Sequence, residues 1–303
     1  MQKHDVICLC GELIMLRYYD GKNVIIMSCS DCNTSCRHCY ISYSGNFSSD
    51  ILYETAYNLK KNGYSVLING TEPLLHEDYL ETYKLINQKM ALTNGLVFRD
   101  NFSYLDKIKS YGITGLNISY HFNFHDDISN VSAEYLRSLW KEILSRNMRF
   151  SINCTISTKN MQNILDYCNQ AFAFGAFKIR FANLLRQGAA LNFDNSLILS
   201  NSQINYVLNN IEHARKKFPK EKLYVARCGS LGPGVNNRKF YCPAGIDNVY
   251  LTPDFKVYPC FFLSKPGYEI GLYKDGKIFI DSTYQNDGKS CKAAEILNNI
   301  YRD

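Results

Sequence analysis

Three cysteines stand at spacings of four and three residues in Cys32-Asn-Thr-Ser-Cys36-Arg-His-Cys39-Tyr40, just after an apolar run. Thiolates gathered this closely suit an iron–sulfur cluster. A four-iron cluster ordinarily takes four cysteines, so three from one tight loop leave one iron open to an exogenous ligand. The competing chemistry is zinc, because Cys29-x2-Cys32 and Cys36-x2-Cys39 also read as two Cys-x2-Cys pairs. Zinc pairs usually stand about a dozen or more residues apart, so that two half-sites fold around one ion. Here only three residues intervene. Cys29 also ends an apolar strand, where a buried thiol is the expected role.

The elements that must hold this loop alternate strand and helix. Val24 to Ser28 is a strand, and a helix follows Ser48-Ser49-Asp50 with Leu52, Ala56 and Leu59 on one face until Gly63. The pattern then predicts a strand over 64–69, a helix over 76–88, a strand over 90–93 and a short helix through Leu105 and Ile108. A strand over 114–119 follows, and Ser132 caps a helix carrying Leu136, Leu139, Trp140 and Ile143. A strand over 148–156 precedes a helix capped by Asn160 and stopped by Gly175. A strand over 177–181 and a helix opened by Ser200 complete the series. Six strand-then-helix units specify a parallel sheet with right-handed crossovers, and the α/β class expected is a partial (β/α)6 barrel. Chemistry in such barrels collects at the C-terminal ends of the strands. The polar residues there are Gly70, Thr71 and Glu72 in Asn69-Gly-Thr-Glu-Pro73, then Asn94, Ser119, Asn153 and Arg180. Ordinary strand-end turns and surface ion pairs would use the same residue types.

The cysteine loop resembles the signature of the radical SAM superfamily, Cys-x3-Cys-x2-Cys followed by an aromatic, here Tyr40. The resemblance implies that the open iron of a [4Fe-4S] cluster binds S-adenosylmethionine and reduces it, releasing a 5′-deoxyadenosyl radical that abstracts a substrate hydrogen. It also implies that Gly70-Thr71-Glu72 stands for the family's Gly-Gly-Glu-Pro turn beside the SAM amino group. Glu-Pro is kept and the double glycine is not. Asn94 lies in a Thr-Asn-Gly like the family's, Ser119 is where a serine approaches the SAM ribose, and Asn153 offers a further polar group. Arg180 suits the SAM carboxylate, because guanidinium matches carboxylate geometry.

After about residue 226 the alternation stops and cysteine, Gly and Pro become frequent. Asn248 to Leu251 and Lys256 to Tyr258 read as a hairpin across Pro253-Asp254, bringing Cys242 and Cys260 toward one end. This segment resembles the start of a SPASM or twitch domain, with Cys242 and Cys260 at its two cysteine positions and Phe255 where its glycine belongs. The resemblance implies at most one auxiliary iron–sulfur cluster, with Cys228 and Cys291 as further ligands. Either of these, if free, could instead donate a hydrogen atom to a substrate radical, or simply be buried. The expected organisation is a β-hairpin lead-in over 1–23, the barrel over 24–225 and the auxiliary-cluster domain over 226–303. In the lead-in Cys8 and Cys10 share a strand face, as a thiol pair or as buried hydrophobes, before a turn near Gly11.

The 303 residues suffice for a sizeable core, and a hydrophobic content of 46% is that of an ordinary globular protein. No apolar run approaches the roughly twenty residues of a membrane span, and Glu12 interrupts any signal-peptide core. A cytoplasmic location is expected, where twelve cysteines serve metals more readily than disulfides. The net charge of +6 is mild and no long basic run occurs, so neither nucleic acid nor a membrane is an expected partner. The expected partners are a reductant such as flavodoxin or ferredoxin and a peptide or small polar substrate. A ribosomally made peptide, cross-linked, dehydrogenated or epimerised, is the first reading. The alternative is dehydrogenation or epimerisation of a small polar molecule such as an aminoglycoside, kept open because about two dozen residues before the barrel are too few for a leader-binding module. The reading outside enzymology is a metal-binding redox sensor.

Overall fold

The computed structural model describes residues 5–9, 12–232 and 241–298. Cys10, and with it the Cys8–Cys10 pairing and the turn at Gly11, lies outside them. In chain order the elements are β1 (Asp5–Leu9), β2 (Glu12–Tyr18), β3 (Asn23–Met27), α1 (Ser49–Lys61), β4 (Ser65–Asn69), α2 (Leu80–Ile86), β5 (Met90–Thr93) and α3 (Tyr104–Ser110). Then come β6 (Gly115–Ser119), α4 (His125–Ile128), α5 (Ala133–Ser145), β7 (Arg149–Ile156), α6 (Ile164–Ala173), β8 (Lys178–Asn183) and α7 (Asn201–Lys217). The chain continues through β9 (Tyr224–Arg227), β10 (Asn248–Leu251), β11 (Lys256–Tyr258), β12 (Gly271–Lys274), β13 (Lys277–Asp281) and α8 (Lys292–Asn298). Two compact units share these elements: Met1–Asp31, Ile41–Gln88 and Pro243–Gly288 form the first, and Cys32–Tyr40, Lys89–Cys242 and Lys289–Asp303 the second. They interleave along the chain.

In the first unit one sheet runs β1-β2-β13-β12-β11-β10-β3-β4. Its pairs are antiparallel except β10 with β3 and β3 with β4. The lead-in hairpin is present and pairs onto β13. Helix α1 forms because Ser48 accepts from the Ile51 amide, and it ends before Gly63, whose φ of +88° a residue with a Cβ would resist. Leu52, Ala56 and Leu59 are buried as the periodicity requires. On β4 a side chain satisfies the backbone of one residue. Gln88 accepts from the Ile68 amide at 2.7 Å and donates to the Ile68 carbonyl at 2.9 Å, standing in for a neighbouring strand.

The second unit holds five parallel strands in the order β5-β6-β7-β8-β9. Side chains alternate across them: Leu116, Ile118, Phe150, Ile152, Cys154, Ile179 and Phe181 are all buried, whereas Asn117, Ser119, Asn153, Lys178 and Arg180 are half-buried on the opposite face. The apolar face takes the helices. Trp140 of α5 stacks on Phe150 at 5.3 Å and meets Tyr120 edge-on at 5.1 Å. Helix α7 opens with a reciprocal capping box, Ser200 accepting from the Gln203 amide and Gln203 from the Ser200 amide.

Several expectations are corrected. Of the six expected parallel strands, β3 and β4 pair in the first unit and β5 to β8 in the second, where β9, unassigned in the sequence reading, adds a fifth strand beside β8. The helix expected over 76–88 begins only at Leu80, after 3-10 turns at Pro73–Leu75 and Glu77–Tyr79, and ends where Asn87 turns left-handed at φ +57°. Asn160 does not cap a helix. Its side chain bonds back to the Thr155 carbonyl and the Ser157 amide, and a 3-10 turn at Met161–Asn163 precedes α6.

Candidate functional site

In the second unit the loop from Cys32 to Tyr40 is fastened at several points. Gln187 donates to the Tyr40 carbonyl at 3.0 Å and the Arg37 amide to the Ile128 carbonyl at 3.0 Å, while Asn130 donates to the Ser35 hydroxyl at 3.0 Å. The Arg37 guanidinium lies 5.1 Å from the centre of the Phe193 ring. Cys32 is exposed, Cys36 and Cys39 are half-buried, and none of the three is in a disulfide. Asn94, one residue past β5, donates its amide to Cys32 Sγ at 3.5 Å and to Asn33 Oδ1 at 2.9 Å, and accepts from the Leu96 amide at 2.7 Å. Cys36 Sγ lies 3.9 Å from Ser129 Oγ.

Among the described residues no three His, Cys, Asp or Glu side chains are gathered closely enough to hold a metal ion. The donor set nonetheless fits a three-thiolate cluster: three accessible thiols outside any disulfide on one fastened loop, one of them already receiving an amide N–H. Cys29 does not extend that set. It is fully buried in the first unit, and burial pushes its thiol up to about 11, against the thiolate that zinc would need.

The loop's own His38 meets two more histidines, and the sequence reading passed over all three. His38 and His121 meet edge-on at 4.5 Å, and His121 and His125 are 5.5 Å apart. His38 Nδ1 donates to the Ile128 carbonyl, His121 Nδ1 accepts from the Thr155 amide, and His125 accepts at Nδ1 from the His121 amide while donating from Nε2 to the Val131 carbonyl. The accepting nitrogens of His121 and His125 belong to neutral rings. Burial is the largest cause, holding His38 at about 4 and His121 well below the usual imidazole range. The signal was available: His121-Phe-Asn-Phe-His125 follows β6 after Tyr120, but its aromatic run reads as core.

The strand residues named from the sequence fall into one row. Ser119 is in register with Asn153, and Asn153 with Arg180, across β6, β7 and β8. Asn94 extends the row, since Thr93 pairs with Ile118, one position before Ser119. Arg180 is engaged at the other end, its Nη2 lying 3.3 Å from Cys228 Sγ just past β9. Burial pushes the Cys228 thiol up, but the Arg180 charge together with hydrogen bonds from Ser230 and Arg180 outweighs it and the net shift is downward. Cys291, also buried and near enough to feel Cys228 and Cys242, is pushed up to about 12, chiefly by burial. Cys260 belongs to the first unit, where it precedes the 3-10 turn Phe261–Leu263.

The Gly70-Thr71-Glu72 turn lies in the first unit. A Cβ at Gly70 would come within 2.9 Å of Cys29 Sγ, so glycine is required there. The Thr71 and Glu72 amides donate to the carbonyls of Cys29 and Asp31 and are therefore spent on the chain itself. Glu72 is fully buried, while Thr71 Oγ1 is buried without a hydrogen-bond partner, leaving one polar atom for a ligand. Phe255, where the SPASM pattern has glycine, adopts φ +60°, so the backbone keeps a glycine-like turn there. Phe47 and Tyr273 pack on its ring at 5.6 and 5.4 Å.

No protein-family model and no curated protein sequence matches the chain. Solved structures do. Streptococcus suis SuiB bound to precursor peptide SuiA superposes with a TM-score of 0.63 at 15% identity, over 83% of this chain and 62% of SuiB. SuiB bound to S-adenosylmethionine gives 0.63 at 16% over 84% of this chain and 63% of SuiB. Histidine-tagged anSMEcpe with bound AdoMet gives 0.61 at 16%, over 83% of this chain and 77% of that one. The chain shares the fold of SuiB and anSMEcpe. It is the α/β partial-barrel class expected from the strand–helix alternation. The chain spans under two thirds of the length of SuiB. No described helix is long and apolar enough to cross a membrane.

Proposed function

We propose that this chain is a radical SAM enzyme that modifies a peptide. The observation that carries the reading is the Cys32–Tyr40 loop: three accessible thiols on a backbone fastened to α4, Gln187 and the end of β5. When bound there, a [4Fe-4S] cluster with an open iron would supply the electron that cleaves S-adenosylmethionine and starts hydrogen abstraction. Cys32, Cys36 and Cys39 would hold the cluster, and Asn94 would orient Cys32 through its amide. Ser119 and Asn153 offer neutral polar groups to SAM, with Arg180 and Glu72 as candidates for its carboxylate and ammonium. Tyr40 closes the loop.

A peptide substrate is supported by SuiB, seen with precursor peptide SuiA, and by anSMEcpe, seen with AdoMet and the Cp18Cys peptide. For an auxiliary cluster the candidate ligands are Cys228, Cys242, Cys260 and Cys291. Three of them belong to the second unit, and the Arg180 charge beside Cys228 favours a thiolate there. A flavodoxin or ferredoxin would serve as reductant in the cytoplasm. The test is SAM cleavage: anaerobically reconstituted protein under strong reductant should form 5′-deoxyadenosine, and Cys36→Ala should not. Equal product from both proteins would refute the reading.

A further inference from the structure

A cavity of about 390 Å³ opens in the first unit between α1 and α2, lined by Ser49, Asp50, Tyr53, Asp78, Glu81 and Thr82. Its size is within the range of roughly 300–1,000 Å³ typical of small-ligand sites. Three of the six lining residues are carboxylates in a chain whose net charge is +6. Among the described residues none of the three has a side-chain hydrogen bond or ion pair. We propose that this cavity seats one cationic side chain, an ammonium or a guanidinium, carried by the substrate.

A second observation, independent of the acids, asks for a ligand donor. Thr82 is fully buried, lines the cavity, and its Oγ1 has no hydrogen-bond partner. A threonine within a helix usually satisfies its hydroxyl on the carbonyl four residues back, and a buried hydroxyl left unpaired is costly. An N–H of the incoming cation would satisfy it while the carboxylates take the charge. Tyr53, 42% exposed, supplies an aromatic wall against which a cation or its alkyl stem can lie. The bland account of Asp50 is that it complements the N-terminus of α1. That terminus, and the N-terminus of α2 in whose first turn Glu81 lies, each carry about half a positive charge, which together cannot neutralise three carboxylates.

The seat rests on the proposed enzymatic reading only for the identity of its carrier, a peptide side chain or the amine of a small polar molecule. The test is ligand-observed NMR on the reconstituted full chain with N-acetyl-arginine amide, its neutral isostere N-acetyl-citrulline amide, and 2-deoxystreptamine. Arginine amide, 2-deoxystreptamine or both should bind, and citrulline amide should not. Tighter binding of arginine amide assigns the seat to a peptide, and tighter binding of 2-deoxystreptamine to a small polyamine. Asp78→Asn with Glu81→Gln should weaken the binding cation about tenfold or more, and the isosteric Thr82→Val severalfold. Uncoupled SAM cleavage should be unchanged in these variants, which separates failure of the seat from failure of the enzymatic reading. Binding of neither cation, equal binding of citrulline and arginine amides, or undiminished binding by the double variant would overturn the proposal.

Discussion

Asn94→Asp probes the contact between the cysteine loop and the end of β5 with little change of shape. Asparagine there donates to Cys32 Sγ at 3.5 Å and accepts from the Leu96 amide at 2.7 Å. Aspartate keeps the acceptor that holds the turn, loses both N–H donors and brings a negative charge to the sulfur. Cys32 is exposed, so a water-like dielectric applies, and a unit charge at that separation repels an added electron by about 1.2 kcal/mol. For one electron this is about 50 mV, less as the electron spreads over a cluster. Loss of a hydrogen bond to the sulfur moves the potential the same way. The reconstituted cluster of Asn94→Asp should therefore be harder to reduce by tens of millivolts, with Asn94→Ala shifted in the same direction by less. A mediated redox titration followed by EPR measures it, with the melting temperature reporting that the fold is kept. A potential for Asn94→Asp equal to that of the parent would refute the role given to this amide.

Two further outcomes concern stability. Ser200→Ala removes one half of the α7 capping box and should cost about 1 kcal/mol in urea unfolding, whereas Ser200→Asn should cost far less. Acidification should also destabilise the protein. The fold keeps His121 neutral by burial while the unfolded chain takes up a proton near pH 6.5, so stability is full above that value. Below it, this group alone removes about 1.4 kcal/mol per pH unit. His38, held at about 4, adds to the loss between pH 6.5 and 4. A melting temperature constant from pH 7 to 5 would contradict the neutral histidine array.

What the sequence displayed depended on how local each determinant was. Helix α1 was readable because its cap, apolar stripe and terminating glycine all fall between Ser48 and Gly63. Strand β5 was found at its observed limits, as were β10 and β11 with the turn between them. The four-residue strand β9 was not, because Tyr224-Val-Ala-Arg follows a charged stretch and acquires its identity only from pairing with β8. Nor could the sequence show β10 lying parallel to β3, a pairing across more than two hundred residues. The histidine array was missed for a related reason. His38, His121 and His125 have no common spacing, and only the packing of the cysteine loop on α4 brings them together.

The row from Asn94 to Arg180 shows how a fold can make one site from positions that share nothing in sequence. Strand alternation places every second residue on one face, and parallel pairing then aligns those residues across neighbouring strands. With strands about 4.8 Å apart, four such positions span about 14 Å, enough to lie along a molecule that joins a nucleoside to an amino acid. The opposite face of the same strands is filled by Leu116, Ile118, Phe150, Ile152, Ile179 and Phe181. A one-residue slip of β6, β7 or β8 would exchange its polar side chain in the row for a core hydrophobe. Burial of that apolar face therefore fixes the register of the polar one, so the same residues that stabilise the second unit also position the groups proposed to bind SAM.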